Sequence, residues 1–402
     1  MTIANEPNYQ KGNMQMARLR ILAGLTVAAL VAFACGGTAG TGATAAPSAA
    51  ATASPTPDPI RVTLIGSFTG QNADLGNWMW NGVKLAVDEA NAAGGVNGRK
   101  IDLIKYDDQG QPTIATDLAQ RAISEKTVMV YGANLSTLSL AMIPILTAAK
   151  IPQITSGQAP ALLQQNSPYI FIDSTTSVVF DQTLAKYVLN TMKINSIAMI
   201  SNNGTYGKGE HDSFLAELTK AGVAPTADKV IAPDVKDFTA VLTEIRGTNP
   251  KVLFIGAEEV QSGLIAKQAR SLGISATFVG AAPIGTPTFV QTAGVDVAEG
   301  SVMTSPYLSN DTNAKTKAFA AAYQKAFNSE AEFHGAKAYD GMSIFIQAMK
   351  KTPSDLSGPK LIEAVRSITY EGLLGQFKYD EVGLGLHATQ IGILKAGKIV
   401  AQ

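Results

Sequence analysis

Strand-like and helix-like segments alternate along most of this chain, and no other sequence feature restricts its fold as strongly. From Ile60 onward, short apolar segments rich in β-branched residues, such as 60–66 and 101–106, are separated by stretches with helical periodicity, such as 78–92. A strand, a helix and a further strand in this order form a parallel pair with a right-handed crossover. The sequence therefore predicts an α/β protein with parallel sheets.

The alternation runs through two series, near residues 60–176 and 178–306, which predicts two doubly wound lobes of the same architecture. Two long predicted helices follow at 316–327 and 335–351, and the sequence from Thr369 to the end is rich in β-forming residues. A chain that returns to the first lobe and finishes in the second accounts for this order. We predict the following bounds: lobe 1 at 59–176 plus 307–385, and lobe 2 at 177–306 plus 386–402.

The first 35 residues have the composition of an export signal. Arg18 and Arg20 precede an apolar run from Ile21 to Ala34, and Cys35, the only cysteine of the chain, follows it directly. These features are typical of a secretory signal, and the run is too short for a transmembrane helix. With cysteine at the cleavage point, residues 1–35 resemble a bacterial lipoprotein signal. We predict that Cys35 carries lipid and anchors an exported protein to the outer face of the membrane; the alternative is an inert buried thiol.

Residues 36–58 consist almost entirely of Gly, Ala, Thr, Ser and Pro. Such a segment buries too little apolar surface to offset its loss of chain entropy, so we predict a flexible tether. The chain as a whole has 32 basic and 32 acidic residues and a formal net charge of zero. Because there is no basic excess and no dense run of Lys and Arg, the sequence argues against a nucleic-acid partner.

The residue types that catalysis or metal binding would need are scattered along the sequence. His211, His334 and His387 have no metal-ligand spacing, and we expect each to be a surface or structural residue. The glycine-rich segment 94–98 follows a helix and precedes a strand, which is the reverse of a dinucleotide-binding loop. The sequence contains no G-x-S-x-G motif. We therefore predict no enzyme activity, no cofactor and no metal site.

A polar turn with the sequence Asn134-Leu135-Ser136-Thr137 lies between a predicted strand and a predicted helix. A helix N-terminus presents unpaired N–H groups and the positive end of the helix dipole, which attract anions. The hydroxyl groups of Ser136 and Thr137 add donors at the same point. In an open parallel sheet such a turn faces the ligand crevice. The alternative is that Ser136 is only an N-cap.

Three further polar turns follow predicted strands: the segment 155–159, the turn that carries Tyr206, and the turn that carries Glu258 and Glu259. Turns that converge from two lobes on one crevice form a binding cleft, in which Tyr206 offers a ring face and a hydroxyl group. Acidic residues also favour the first turn of a helix, and this is the alternative explanation for Glu258 and Glu259.

Several segments resemble the Leu/Ile/Val-binding type of periplasmic binding protein. They are 60–70 (IRVTLIGSFTG), 80–98 (WNGVKLAVDEANAAGGVNG), 106–108, 203–209, 236–238 and 338–341. The resemblance extends from Ile60 to the C-terminus. It implies the type I periplasmic-binding fold, in which three crossovers form a hinge between the lobes, and delivery of a bound solute to the permease subunits of an ABC importer.

The resemblance also implies roles for individual residues. The family's serine for the ligand α-carboxylate falls on Ser136, and its tyrosine from the second lobe falls on Tyr206. The turn that meets the ligand ammonium group falls on Gly157 and Ala159, and the alanine replaces a threonine of the family's amino-acid binders. The family's acidic partner of the ammonium group falls near Ala282, where this sequence has no acid.

This missing acid bears on the ligand, because a buried ammonium group without a counter-charge is strongly destabilising. A standard amino acid then needs another acid, which Glu258, at an aromatic position of the family, can supply from a shifted position. Otherwise the ligand lacks an ammonium group and is a carboxylate, an amide or a similar compound.

We predict a protein that captures a small polar solute by hinge closure for an ABC importer, the solute being a branched-chain or other amino acid or a related carboxylate or amide. The predicted ligand contacts are Ser136, Thr137, Gly157, Ala159, Tyr206 and Glu258. The alternative function is a ligand-sensing receptor component that uses the same clamp.

Overall fold

The structure is a computed structural model that describes residues 58–402. The predicted signal region at 1–35, with Cys35, and the tether up to residue 57 lie outside the described residues. None of the helices in the described part of the chain has the length and apolar character that crossing a membrane requires.

The first sheet contains five parallel strands, and helices connect most of them. The strands are β1 (Ile60–Gly66), β2 (Ile101–Asp107), β3 (Met129–Tyr131), β4 (Gln153–Thr155) and β5 (Ile170–Ile172). Their spatial order is β2-β1-β3-β4-β5. Because β2 lies on one side of β1 and β3 on the other, the carboxyl ends of β1 and β3 form a switch point, where open α/β sheets bind their ligands.

The helices of this first part are α1 (Ala73–Ala92), α2 (Pro112–Ser124) and α3 (Ser136–Ala148). Helix α1 begins at Ala73, five residues before the stretch 78–92 in which the sequence shows helical periodicity. The physical reason is Gly76, whose added Cβ would lie 1.9 Å from the carbonyl oxygen of Ser67. This glycine allows the first turns of α1 to pack against the chain after β1 and does not mark a loop.

The second sheet repeats the same topology. Its parallel strands are β6 (Ile197–Asn202), β7 (Ala227–Ile231), β8 (Val252–Gly256), β9 (Thr277–Gly280) and β10 (Val302–Ser305). Their order is β7-β6-β8-β9-β10, so the strands of both sheets follow the pattern second, first, third, fourth, fifth. The helices of this part are α4 (Ser177–Lys186), α5 (Thr205–Lys220), α6 (Thr239–Gly247), α7 (Glu259–Ser271), α8 (Pro287–Ala293) and α9 (Val295–Ala298).

After β10 the chain returns to the first sheet and then to the second. The returning elements are α10 (Ala314–Phe327), α11 (Phe333–Lys351), α12 (Gly358–Arg366) and a two-stranded sheet of β11 (Tyr370–Glu371) and β12 (Gln376–Phe377). The last elements are β13 (Gln390–Lys395) and β14 (Lys398–Ala401). Strand β13 pairs with β10 antiparallel and β14 pairs with β13, so the end of the chain extends the second sheet.

Helix α11 packs closely against α1 and shares its apolar core. Met79 and Val83 of α1 are fully buried in one cluster with Met342 and Phe345 of α11. At the crossing, a Cβ added to Gly82 would lie 2.1 Å from the carbonyl oxygen of Gly335, so the two helix backbones meet where neither residue has a side chain.

We call the part built on the first sheet, with α1–α3 and α10–α12, lobe 1, and the part built on the second sheet, with α4–α9, lobe 2. Two lobes with parallel sheets of one topology confirm the predicted fold class. The exact residues at which one lobe passes into the other, near 176, 306 and 385, stay predictions.

Candidate ligand-binding cleft

A small cavity lies between the two lobes, at the carboxyl ends of their strands. Lobe 1 contributes the turns after β3 and β4, lobe 2 contributes the first turns of α5 and α7, and the start of α11 forms a further wall. The lining residues are Leu75, Asn134, Leu135, Ser136, Ser156, Gly157, Gln158, Tyr206, Glu258, Glu259, Pro283, His334 and Lys337.

Ser136 is the first residue of α3 and joins the two polar turns of lobe 1. Its Oγ accepts hydrogen bonds from the backbone N–H groups of Gln158, at 3.1 Å, and Ala159, at 3.3 Å. Since the hydroxyl is the acceptor in both bonds, its own proton remains available to another partner. The first N–H groups of α3 have no acceptor within the helix, so this wall presents donors.

The turn after β4 approaches Ser136 so closely that it needs glycine. A Cβ added to Gly157 would lie 2.9 Å from both the Cα and the Oγ atom of Ser136. Gly157 lines the cavity, and its missing side chain keeps the space in front of the helix open.

Asn134 supplies a donor that the rest of the protein does not use. Its Oδ1 accepts a hydrogen bond from the backbone N–H of Ser67 at 2.8 Å, whereas its buried Nδ2 has no hydrogen-bond partner. A buried donor without a hydrogen-bond partner lowers the stability of the folded state by about 1–3 kcal/mol. Because Asn134 lines the cavity, a ligand acceptor at this position would recover that free energy.

Two predicted ligand contacts do not line the cavity. The Oγ1 atom of Thr137 points to lobe 2, where it donates a hydrogen bond to Thr205 Oγ1 at 3.0 Å. Ala159 is fully buried behind Ser136, and its only link to that residue is the backbone hydrogen bond to the serine hydroxyl. Neither residue is part of the wall of this cavity, and ligand contact by Thr137 and by the turn at Ala159 stays a prediction.

Tyr206 and Glu258 form part of the wall from lobe 2. Tyr206 lies in the first turn of α5, and burial, followed by the neighbouring Glu210 carboxyl, raises the pKa of its phenol well above the usual value. The ring therefore stays neutral. Glu258 directly precedes α7, is partly buried and accepts a hydrogen bond from Asn202 Nδ2 at 2.6 Å through its Oε2.

Glu259, the first residue of α7, lies deeper than Glu258. Its side chain is 1% exposed, and neither carboxylate oxygen has a hydrogen-bond partner. The Nε2 nitrogen of His334 lies 3.4 Å from Glu259 Oε1 without forming a hydrogen bond. Burial raises the pKa of Glu259, and the nearby His334 partly opposes this shift.

His334 and Lys337, from α11, were not predicted as site residues. The imidazole of His334 stacks on the indole of Trp78 with 5.6 Å between ring centroids, and its Nδ1 lies 3.0 Å from Glu332 Oε2. Our interpretation of His334 as a surface or structural residue is thus incomplete, because the ring lines the cavity. The sequence signal for this wall is a pair of polar residues three positions apart in the otherwise apolar start of α11, at 333–338.

Lys337 is almost completely buried and fixes the turn after β4 from behind. Its Nζ donates a hydrogen bond to the carbonyl oxygen of Ser156 at 2.6 Å and lies 4.0 Å from Asp173 Oδ1. Burial lowers the pKa of Lys337, whereas the negative charge of Asp173 acts in the opposite direction. Asp173 is in turn bound by the hydroxyl groups of Tyr131, at 2.7 Å, and Ser156.

Several polar contacts join the lobes around the cavity. Besides the bond between Thr137 and Thr205 and the close approach of His334 to Glu259, Thr288 Oγ1 of lobe 2 donates a hydrogen bond to Asp74 Oδ2 of lobe 1 at 2.7 Å. The structure therefore shows the lobes closed on each other, with hydrogen-bonding groups of both facing the enclosed space.

Comparison with known proteins agrees with this architecture. Residues 59–397 match the family model of the periplasmic binding proteins. The chain is 29% identical over 352 residues to the Leu/Ile/Val-binding protein BraC3 of Rhizobium johnstonii, which covers 85% of this chain and 93% of that relative.

Two solved structures show the same fold. One is the branched-chain amino acid transporter substrate binding protein LivJ of Streptococcus pneumoniae, in complex with isoleucine. It superposes with a TM-score of 0.80 at 25% identity, and the superposition covers 85% of this chain and 98% of the LivJ chain. The other is a solute binding protein of an ABC transporter from Rhodopseudomonas palustris, in complex with 3,4-dihydroxybenzoic acid. It gives a TM-score of 0.78 at 25% identity, and the superposition covers 85% of this chain and 95% of that protein's chain. The resemblance found in the sequence is thus confirmed, and the chain belongs to the periplasmic binding protein family, in its type I, Leu/Ile/Val-binding class.

Proposed function

We propose that this chain is the extracytoplasmic substrate-binding component of an ABC importer and captures a small polar solute by closing its two lobes. The observation that carries the proposal is the cavity whose walls come from both lobes and hold hydrogen-bonding groups without partners, Asn134 Nδ2 on one side and the Glu259 carboxylate on the other. Such groups are costly when buried unpaired, so a solute that pairs with both stabilises the closed form.

The same reasoning gives the mechanism of capture. A solute that contacts both walls binds the closed form more tightly than the open form and shifts the equilibrium toward closure. The contacts of Thr137 with Thr205 and of Asp74 with Thr288 then hold the lobes together at the edge of the cleft. The permease subunits recognise the closed form and receive the solute.

The solute is a branched-chain or other amino acid, or a related carboxylate or amide. A relative that is named for binding Leu, Ile and Val, and similar structures that hold isoleucine or a dihydroxybenzoic acid, support this class. The donors of the lobe 1 wall suit a carboxylate or an amide oxygen, because helix N-terminal N–H groups and the Ser136 hydroxyl favour acceptors with negative charge.

We assign direct ligand contact to Ser136, Gly157, Tyr206 and Glu258, which line the cavity. For the other two predicted residues we propose indirect roles. Thr137 stabilises closure through Thr205, and Ala159 supports the turn through its N–H bond to Ser136.

We further propose that the protein works outside the cytoplasm and is attached to the membrane by lipid on Cys35. The family places its members on that side, and the basic residues, apolar run and cysteine of the first 35 residues support export and acylation. Several acyl chains hold a protein firmly at a membrane, whereas one chain gives only marginal attachment.

The proposed function is tested by thermal melting and calorimetry of the purified protein against amino acids and small carboxylates. We expect at least one compound to bind and to raise the melting temperature, and Ser136→Ala to weaken that binding by about tenfold, the value of one good hydrogen bond. Ser124→Ala, at an exposed end of α2, is the matched control. If no compound binds, the proposed function is contradicted.

A further inference from the structure

The buried carboxylate of Glu259 is the group in the cleft with the least satisfied hydrogen-bonding capacity. Both of its oxygens are buried and without a partner, and its side chain is 1% exposed. A carboxylate in a protein interior normally accepts several hydrogen bonds or faces a positive charge, since its desolvation is otherwise costly. The closed cleft thus contains an acceptor that the protein itself leaves free.

The basic side chains around the cavity, Lys337 and His334, donate no hydrogen bond to Glu259. Lys337 uses its Nζ for the carbonyl oxygen of Ser156, and its nearest carboxylate is Asp173. His334 Nε2 lies 3.4 Å from Glu259 but forms no hydrogen bond with it. Each of these groups has its own partner within lobe 1.

Glu258 differs from Glu259 in this respect. Its Oε2 already accepts a hydrogen bond from Asn202 at 2.6 Å, and the side chain is only partly buried. Asn202 Nδ2 also donates to Gln261 Oε1 at 2.8 Å, so Glu258 belongs to a polar network within lobe 2. Of the two adjacent acids, Glu259 is therefore the one whose carboxylate oxygens are both buried and both without a hydrogen bond.

We infer that Glu259 is the specificity-determining residue that binds a protonated nitrogen of the solute, and that the solute is a zwitterion with its cationic end at lobe 2. The inference rests on the proposed function. The opposite end of such a solute, a carboxylate or another oxygen acceptor, meets the free Nδ2 of Asn134 and the N-terminus of α3. Since Ala282 leaves the family's acidic position without a charge, Glu259 supplies that charge from the neighbouring turn.

The inference is tested with pairs of compounds that share a carbon skeleton and differ at one group. The probes are the standard amino acids and the 2-oxo acids that correspond to them, together with benzoate, each titrated calorimetrically into the purified protein. We expect every compound that binds to carry a protonated nitrogen, and its 2-oxo acid to bind at least about thirtyfold more weakly, the lower end of the loss when one partner of a buried charge pair is missing.

The variant Glu259→Gln separates ligand recognition from a structural role. We expect it to weaken amino-acid binding by at least about thirtyfold and to abolish the preference for the amino acid over its 2-oxo acid. A merely structural role would weaken both members of a pair alike and leave their ratio unchanged, which would overturn the inference. Glu259→Asp keeps the charge and should keep the preference. Glu244→Gln, at an exposed position of lobe 2, is the control.

The remaining outcomes are equally decisive. Binding of 2-oxo acids or benzoate as tight as that of amino acids would overturn the inference and leave the proposed function intact. A larger loss in Glu258→Gln than in Glu259→Gln would also overturn it, because the counter-charge would then lie on Glu258. Absence of binding by every probe would contradict the proposed function itself.

Discussion

Thr137 and Thr205 lie at the N-termini of helices in different lobes, 68 residues apart in the chain, and their hydroxyl oxygens are 3.0 Å apart. Thr137 follows β3, the third strand of lobe 1, and Thr205 follows β6, the first strand of lobe 2, so the contact joins turns at the carboxyl ends of strands in both sheets. The backbone N–H of Thr205 adds a longer hydrogen bond, of 3.4 Å, to the same oxygen of Thr137.

We expect Thr137→Val to weaken solute binding about two- to fivefold. Valine keeps the shape of the side chain but removes both interlobe hydrogen bonds, and an exposed bond contributes at the lower end of about 0.5–1.5 kcal/mol. Calorimetry with the best-bound solute measures the effect, and Thr219→Val, on the outer part of α5, serves as the control. Equal affinity in Thr137→Val and the wild type would show that this contact does not stabilise closure.

Lys337→Met is expected to lower the free energy of unfolding by about 3–5 kcal/mol, because it leaves Asp173 buried without its cation. Denaturant unfolding gives the value. The double variant with Asp173→Asn should recover part of the loss, since the remaining buried charge is then removed as well. If the double variant is less stable than the wild type by the sum of the two single losses, the two side chains do not interact.

Gly82→Ala is expected to destabilise the protein by about 1–3 kcal/mol or more. The new methyl group would lie 2.1 Å from the carbonyl oxygen of Gly335, so α1 and α11 would have to separate. Gly247→Ala is a matched control, because this glycine ends α6 at an exposed position with no atom within 4 Å of the added carbon. A similar melting temperature for both variants would contradict the close packing of α1 on α11.

Asp340 gives a prediction about pH. Burial raises the pKa of this carboxyl from 3.8 to about 7, against hydrogen bonds from Leu374 and Tyr370 that favour its charged form. The folded state therefore holds the proton more tightly than the unfolded state. The resulting stability is full below pH of about 4 and is lost as the pH rises to about 7.

We thus expect the free energy of unfolding to fall between pH 4 and 7 and Asp340→Asn to reduce this fall by at most about 4 kcal/mol. Urea unfolding at several pH values measures it. Part of the fall remains in the variant, because burial also raises the pKa of Asp181 and Glu210. Asp88→Asn, on the surface of α1, should leave the pH profile unchanged. If Asp340→Asn and the wild type lose the same free energy of unfolding between pH 4 and 7, the pKa of Asp340 is not raised by burial.

The sequence was sufficient to predict those parts of the cleft wall that lie in turns directly after a strand. Ser136, Gly157, Tyr206 and Glu258 each come directly after a strand or at the start of the next helix, and parallel strands bring their carboxyl ends to one edge. The position in the strand–helix alternation therefore determines the position in the cleft, before any packing is known.

The wall formed by α11 could not be predicted in this way. Lys337 meets Ser156 across 181 residues of chain, and only the packing of α11 on α1 brings it to the turn after β4. The choice between Glu258 and Glu259 likewise depends on Asn202, which occupies one acid and not the other. Tertiary contacts determine where Lys337 lies and which of the two acids is hydrogen-bonded. The residues next to them in the sequence do not predict either result.

Small-angle X-ray scattering of the purified protein, alone and saturated with the solute that raises its melting temperature most, tests closure around a solute most directly. We expect a smaller radius of gyration in the saturated protein, because the solute draws lobe 1 and lobe 2 together. Identical scattering in both states, with binding confirmed in the same samples, would contradict it.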